Sequence, residues 1–140
     1  LNTTELYEIL QLRSAVFGVE QNCVYQDLDS KDQVAWHLMG MDEGKLVAYT
    51  RIFSPGAYFE QASIGRVVVE GSSRGKKYGI AIMQSSIKAI HDLFGKNTTI
   101  CISAQAYLLR FYNNLGFHVV GEEYLEDGIP HFKMIRNHSL

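Results

Sequence analysis

The amino-acid sequence predicts one α/β domain: a single mixed central sheet, one bulged strand, and helices on both faces of the sheet. Its length of 140 residues is that of one domain. Segments with helical and with strand periodicity alternate along the chain, as in sheets covered by helices. Gly65 interrupts a β-branched strand segment, and a glycine inside a strand is typical of a bulge.

Apolar residues at helical spacing predict three helices. Asn2 and Glu5 form a capping pair at the start of the first helix, which runs to about residue 17. The second helix covers residues 80–94 and ends at a glycine, a common C-terminal signal. The third covers residues 107–115 and is also followed by a glycine.

Alternating or β-branched segments predict six strands, at residues 36–40, 46–53, 62–69, 98–103, 117–124 and 131–135. The first two strands form an antiparallel hairpin, and the last two form a final hairpin around residues 126–130. All nine predicted elements belong to one domain that spans residues 1–140, because no linker, repeat or low-complexity segment divides the chain.

The charge of the chain is small but uneven. The 13 Lys and Arg residues nearly balance the 15 Asp and Glu residues, for a net charge of −2, which argues against a general nucleic-acid-binding protein. Residues 71–78 hold three positive charges and no negative one, which suggests a small anionic ligand. Apolar runs are only a few residues long, so we predict no membrane-spanning helix.

Neither the cysteines nor the acidic residues form a metal-binding or disulfide pattern. Cys23 and Cys101 are far apart and lack CxxC spacing, which predicts a reducing compartment, the cytoplasm. Asp27 and Asp29 begin like a calcium loop, but Lys31 occupies a ligand position. We therefore predict no metal. Because the chain begins at Leu1 and not at Met, we expect a few further residues and a first strand before it.

The glycine-rich turn at residues 71–79 lies between a predicted strand and a predicted helix, where helix N–H groups can bind an anion. A solvated basic turn is one interpretation. A P-loop is excluded by the spacing of its glycines, and a GxGxxG dinucleotide turn by the same criterion. A nucleophile elbow at residues 71–75, with Ser73 as nucleophile, fits the G-x-S-x-G pattern. However, a serine hydrolase of that fold needs a larger sheet than 140 residues supply.

Residues 74–79 (RGKKYG) resemble the pyrophosphate-binding turn of the GNAT N-acetyltransferases, whose pattern is Arg/Gln-x-x-Gly-x-Gly/Ala. Lys77 stands where the first glycine is usual, which is acceptable if its backbone angles are ordinary. Residues 103–108 and 111–117 are similar to the later strand and helix of the family. Further segments resemble its ElaA-like branch, at residues 19–23, 25–29, 64–69 and 121–131.

The resemblance implies an acetyltransferase that uses acetyl-CoA as cosubstrate. In such enzymes a bulged strand diverges from its neighbour, and the pantetheine arm lies in the gap. The residues that the resemblance assigns to the cosubstrate are Val67, Val68, Val69, Arg74, Gly75, Lys76, Lys77, Tyr78, Gly79, Gln105 and Phe111. Backbone N–H groups of the three valines would also stabilise negative charge on the thioester oxygen.

The chemistry implied is direct attack of an amine on the thioester. Tyr112 corresponds to the family's proton donor for the leaving thiolate. Candidates for the base that deprotonates the amine are Glu60, His131 and His37, or a water relay. The acceptor is a primary amine, on a small molecule or a protein lysine. A homodimer and a module that binds acyl-CoA without turnover stay open as alternatives.

An acidic surplus surrounds the segments that we expect to rim the site. Such a rim would attract an ammonium ion while the basic turn holds phosphates; a solvated surface is the alternative interpretation. The acidic residues concerned are Glu20, Asp27, Asp29, Glu122, Glu123, Glu126 and Asp127.

Overall fold

The computed structural model describes residues 1–20 (residues 18–20 by their backbone only), 29–71 and 77–137. The α-helices in these ranges are α1 (Thr3–Arg13), α2 (Tyr78–Phe94) and α3 (Leu109–Asn113). The strands are β1 (Trp36–Asp42), β2 (Lys45–Phe53), β3 (Ala62–Val69), β4 (Ile100–Gln105), β5 (His118–Val119), β6 (Tyr124–Glu126) and β7 (Ile129–Arg136).

These strands form one mixed sheet in the order β1-β2-β3-β4-β7-β5, and β6 pairs with β7 beside that path. The pairing of β3 with β4 is parallel, and the other pairings are antiparallel. The predicted mixed sheet with helices is therefore confirmed. Within the described ranges, no helix has the length and apolar character needed to cross a membrane.

The sheet separates two hydrophobic clusters. Tyr49 of β2 packs with Ile9 and Leu12 of α1, whereas Ile52 packs with Met83 of α2. The residue after Tyr49, Thr50, hydrogen-bonds to Ser86 of α2 over 2.7 Å, as expected because consecutive strand residues point to opposite faces. We call these two sides the α1 face and the α2 face of the sheet.

Strand β3 contains the predicted bulge. Tyr49 pairs with Val68 and Arg51 pairs with Gly65, so that β3 has one more residue than β2 between these two pairs. The strained residue is Arg66 and not the glycine, because Arg66 has a φ of 48°, in the left-handed region that β-branched and long side chains rarely adopt. The bulge therefore turns the backbone just before Val67.

Beyond the bulge, β3 and β4 diverge. Their pairing is limited to Ala62 with Ile100 and Ser63 with Cys101, although both strands continue for several residues. Within the described chain, the edge of β3 from Ile64 to Val68 thus faces β4 without strand pairing. A wedge opens in the middle of the sheet as a result.

Two predicted elements differ from the structure. Helix α1 ends at Arg13, and a π-helical segment continues from Ser14–Glu20. The strand predicted at residues 117–124 is wrong, because Gly121 has a φ of 84° and separates β5 from β6. The final hairpin instead joins β6 to β7 through Asp127 and Gly128, which both have positive φ, as in a two-residue type I′ turn.

Candidate active site

The wedge between β3 and β4 contains a cleft of about 120 Å³. Strand β3 contributes Gly65, Arg66 and Val67 to its walls. The remaining lining residues come from the α1 end, β4, the α3 region and the β6–β7 hairpin: Phe17, Ile64, Ile102, Ser103, Gln105, Leu108, Tyr112, Glu126, Asp127, Ile129 and His131.

Residues from both faces of the sheet line the cleft. Ile102 belongs to the cluster on the α2 face, and the next residue, Ser103, therefore points to the α1 face. Both residues line the cleft. Ile64 of β3 also belongs to the cluster on the α2 face and lines the cleft, so side chains of both faces contribute to its walls.

Tyr112 reaches the cleft from the α2 face. Its side chain is 6% exposed and lies edge-on between Phe111, at 5.1 Å, and Phe117, at 6.0 Å between ring centroids. Burial, with a smaller contribution from Tyr107, raises the pKa of Tyr112 to about 12. The phenol therefore keeps its proton at neutral pH and can act as a hydrogen-bond donor in the cleft.

His131 reaches the cleft from the α1 face. Its Nδ1 lies 2.7 Å from the Ile129 carbonyl oxygen, and because a carbonyl only accepts, Nδ1 carries a proton. The imidazole ring stacks on Tyr124, and Nε2 faces a Glu126 carboxylate oxygen at 3.5 Å. In the neutral ring, Nε2 is therefore a lone-pair acceptor directed into the cleft beside a carboxylate.

A chain of hydroxyl groups holds Glu126. The Tyr124 hydroxyl and Ser103 Oγ are in hydrogen-bond contact, and Ser103 Oγ donates to Glu126 Oε1 over 3.2 Å. Since Ser103 has one proton to donate, Tyr124 donates to Ser103 in this arrangement. Ser103 of β4 thereby holds Glu126 Oε1 in place, and Glu126 Oε2 faces His131.

Behind the bulge lies a network of buried ions. Arg51, 2% exposed, donates to Asp29 and Asp32, and Arg13 of α1 donates to Asp32 over 2.8 Å. Asp29 also lies 3.5 Å from the guanidinium of Arg66, the bulge residue. Asp29 thus connects the buried Arg51 to the bulge residue Arg66.

Burial alone would raise the pKa values of both carboxylic acids in this network. The hydrogen bonds and charges of the arginines outweigh burial, with Arg51 acting on Asp29 and both Arg13 and Arg51 acting on Asp32. The pKa values of Asp29 and Asp32 are therefore held below the usual range.

The start of α2 differs from what we expected. Lys77, the N-cap residue, has φ 62° and ψ 24°, so its backbone is left-handed and the condition of ordinary angles is not met. A Cβ atom on Gly79 would lie 3.6 Å from the Phe111 ring and 3.9 Å from Val69. A Cβ atom at this position would therefore make ordinary van der Waals contacts with α3 and the end of β3.

The structure brings together only some of the predicted site residues. Tyr112, His131, Gln105 and Val67 line the cleft. Val68 is buried in the cluster on the α1 face.

Other predicted residues do not line the cleft. Tyr78 points away from it, with its hydroxyl hydrogen-bonded to Asp42 of β1. Arg74, Gly75, Lys76 and Ser73 lie outside the described residues, as do Cys23 and Asp27.

Two of the candidate bases lie elsewhere. Glu60 is exposed in the segment between β2 and β3 and does not line the cleft. His37 has partners at both ring nitrogens: the Tyr49 hydroxyl at 2.5 Å and the Asp32 carbonyl oxygen at 2.9 Å. His37 therefore holds the segment before β1 against β2, and His131 is the candidate that remains in the cleft.

Sequence reasoning missed the roles of Ser103 and Arg66. Strand alternation could have placed Ser103 on the same face as Gln105, since both belong to β4. The contact of Arg66 with Asp29 joins residues 37 positions apart, and no local pattern indicates it. Cys101 is fully buried, and burial raises the pKa of its thiol, which fits a packing role.

Comparison with known proteins agrees with this geometry. Residues 9–137 match the family model of the acetyltransferase (GNAT) domain. The protein ElaA of Escherichia coli is 42% identical over 138 residues, which cover 97% of this chain and 90% of ElaA.

Two solved structures are also similar. An acyl-CoA N-acyltransferase from Pseudomonas aeruginosa is 43% identical with a TM-score of 0.91, covering 97% of this chain and 92% of that one. The crystal structure of E. coli ElaA is 41% identical with a TM-score of 0.89, covering 98% and 93%. The diverging strands, the cleft between them and these matches together show that the chain belongs to the GNAT family of acetyltransferases.

Proposed function

We propose that this enzyme transfers an acetyl group from acetyl-CoA to the nitrogen of a primary amine. The observation that carries the proposal is the cleft at the divergence of β3 and β4, which Tyr112 and His131 reach from opposite faces of the sheet. The amine can be a small molecule or a protein lysine.

The residues present fit an acyl-CoA. The edge of β3 from Ile64 to Val68 faces the wedge without strand pairing, so the backbone of Val67 can bond an extended amide-containing chain. Val68 directs its backbone groups to β2, because it pairs with Tyr49, and Glu70, two residues on, donates to β2. Val69 continues that edge toward α2, and Gln105 and Phe111 lie on the β4 and α3 sides. We place the phosphates at residues 74–79, where Lys77 stands at the N-terminus of α2. Acetyl-CoA supplies the activated acetyl group.

His131 supplies the base in this proposal. Nε2 accepts a proton from the bound amine, and the Glu126 carboxylate 3.5 Å away stabilises the positive ring that forms. Because Nδ1 is held by the Ile129 carbonyl, the ring keeps its orientation during the transfer. Glu60 and His37 therefore have no catalytic role in this proposal.

Tyr112 stabilises the leaving sulfur. A phenol of pKa about 12 is a weaker acid than a thiol of pKa about 8.5. Complete proton transfer would therefore be uphill by about 5 kcal/mol. The main contribution we assign to Tyr112 is a hydrogen bond that strengthens as negative charge develops on sulfur.

The direct test measures thiol release from acetyl-CoA with a panel of primary amines, together with the mass of the product. We expect thiol release that depends on the amine and a product heavier by one acetyl group. Stabilisation of the fold by acetyl-CoA without amine-dependent release would instead indicate a binding module. Covalent labelling of Ser73 by a fluorophosphonate would support the hydrolase alternative.

The assignment of the base is tested in the same assay. His131→Gln should lower turnover with the best amine by roughly 10²-fold, the range of general base catalysis. Lys88→Gln alters an exposed residue of α2 that pairs with Asp92 and should leave the rate unchanged. Loss of turnover in Glu60→Gln, with normal turnover in His131→Gln, would contradict the assignment.

A further inference from the structure

Glu126 and His131 place two acceptor atoms opposite each other in the cleft. Glu126 Oε2 and His131 Nε2 are 3.5 Å apart, and neither has a proton to offer the other when the ring is neutral. Two facing acceptors are favourable only when a donor lies between or beside them. An ammonium ion carries three donors around one nitrogen and can reach both atoms at once.

The tautomer of His131 and the orientation of Glu126 are both fixed by neighbours. The Ile129 carbonyl takes the Nδ1 proton over 2.7 Å, and Ser103 occupies Glu126 Oε1 over 3.2 Å. His131 is only 6% exposed, so its lone pair is directed at the cleft from a buried position. The pair is therefore ordered before any ligand arrives, which lowers the entropy lost on binding.

The charges around the pair favour a cation. The charged residues that line the cleft are Arg66, Glu126 and Asp127, and Arg66 faces Asp29 at 3.5 Å. Lys133, two residues along β7 from His131, has its ammonium 5.3 Å from the ring centroid of Phe59. Tyr112 and Tyr124 are neutral phenols, because burial raises the pKa of each. The lining residues of the cleft thus carry two carboxylates and one guanidinium.

We propose that Glu126 and His131 form the binding site for the acceptor's ammonium group, so that the enzyme selects primary alkylamines in their protonated form. This proposal rests on the proposed function and names the acceptor class for it. It also makes Glu126, rather than the exposed Glu122 and Glu123, the acidic residue that recognises the acceptor.

The transfer balances with these groups. The bound ammonium gives one proton to His131 Nε2, and the free electron pair on nitrogen forms the bond to the acetyl carbon as the carbon–sulfur bond breaks. The sulfur keeps the electrons of the broken bond as a thiolate, to which Tyr112 donates a hydrogen bond. The second proton of the nitrogen passes to this sulfur, and His131 releases the first proton to solvent, so that a neutral amide and a neutral thiol leave.

The test compares two acceptors, butylamine and aniline, at pH 7.5. Butylamine is an ammonium ion at this pH, because alkylamines have pKa values near about 10, and aniline is a neutral arylamine. For Glu126→Gln we expect the KM for butylamine to rise about tenfold, as for loss of a charged hydrogen bond. The KM for aniline and that for acetyl-CoA should change less than about twofold, since neither group meets the carboxylate as a cation.

Glu123→Gln is the matched control, because it removes the same charge three residues earlier from an exposed side chain outside the cleft. Equal KM values for butylamine in the two variants would overturn the proposal. An equal loss with butylamine and aniline in Glu126→Gln would overturn it as well, because it would mean a merely structural role.

Two further outcomes separate this proposal from the proposed function. Turnover of aniline but not of butylamine by the wild type would overturn the ammonium site and leave acetyl transfer intact. Absence of turnover with every amine would overturn both.

Should Glu126→Gln fail to fold, a second variant is available. Ser103→Ala removes the donor to Glu126 Oε1 but keeps the charge of the carboxylate. It should raise the KM for butylamine by a smaller factor, about threefold, and an unchanged KM there would count against the proposal.

Discussion

At the scale of single residues, Tyr112 shows how packing sets chemistry. Two aromatic rings hold it edge-on, and burial raises its pKa to about 12. The proton is therefore available throughout the working pH range of an ordinary enzyme. A fully exposed tyrosine would begin to lose its proton about two pH units lower.

We expect Tyr112→Phe to lower turnover by roughly 10²-fold while the protein still folds and binds acetyl-CoA, because only the hydroxyl group is removed. The loss should appear in kcat more than in KM, since the hydrogen bond to sulfur strengthens only as the bond breaks. Steady-state kinetics check this result. Tyr7→Phe is the matched control, because Tyr7 is 68% exposed on α1. Normal turnover in Tyr112→Phe would show that the phenol only packs.

Some of the predicted site residues line the cleft and others do not, for a physical reason. Tyr112, His131, Gln105 and Val67 were predicted on regular elements and do meet at the cleft. The direction of a side chain in a loop or at a helix start depends on contacts with distant residues. Tyr78 therefore bonds to Asp42, 36 positions away, which no spacing pattern indicates.

At the scale of elements, the start of α2 carries a strained backbone. Lys77 is left-handed, which costs roughly 1–2 kcal/mol for a residue with a Cβ atom. Lys77→Gly should therefore raise the free energy of unfolding by up to about 1 kcal/mol. Lys77→Ala should bring no such gain, because alanine keeps the Cβ atom.

Thermal or urea denaturation distinguishes the two Lys77 variants, and titration with coenzyme A measures the effect of the lost charge. Both variants should bind coenzyme A more weakly than the wild type, since each removes one positive charge from the proposed phosphate site. A glycine variant no more stable than the alanine variant would mean that the left-handed conformation is not costly here.

Helices and strands are predictable from sequence where neighbouring residues alone determine them, and not where pairing with a distant strand does. Strand β3 was predicted with its observed bounds, because its β-branched residues and interior glycine are contiguous. The strand predicted at residues 117–124 failed, because β5 and β6 each owe their existence to pairing with β7. Such pairing is tertiary, and the apolar pattern alone could not reveal the turn at Gly121.

At the scale of the whole molecule, the network of Arg13, Asp32, Arg51 and Asp29 connects α1, β2 and the bulge of β3 across the α1 face. The sequence predicted the fold class, because the periodicity of apolar residues and the order of helices and strands can be recognised from consecutive residues. It did not predict this network, because no pattern shows which buried arginine meets which carboxylate.

We expect the network to make the fold sensitive to acid. The pKa values of Asp29 and Asp32 are lowered in the folded state. Below about pH 4 the unfolded chain therefore binds protons that the folded chain does not. The free energy of unfolding should be full above pH 4 and fall as the pH decreases from about 4 toward 2. Urea denaturation across this range measures the slope.

Asp29→Asn should reduce the free energy of unfolding at pH 7 by about 3 kcal/mol, because buried Arg51 loses one of its two charged partners. The acid slope of this variant should also be shallower. Asp92→Asn, which removes a carboxylate from an exposed pair with Lys88, is the matched control and should change stability by less than about 1 kcal/mol. Similar effects from the two variants would contradict the role of the network.

A cleft lined from both faces of the sheet also has a kinetic consequence. If acetyl-CoA and the amine contact different walls, as proposed above, neither has to leave before the other arrives, and a ternary complex can form. Initial rates measured over a grid of acetyl-CoA and amine concentrations should give double-reciprocal lines that intersect. Parallel lines, the pattern of an acetylated enzyme intermediate, would mean that the two reactants do not occupy the cleft together.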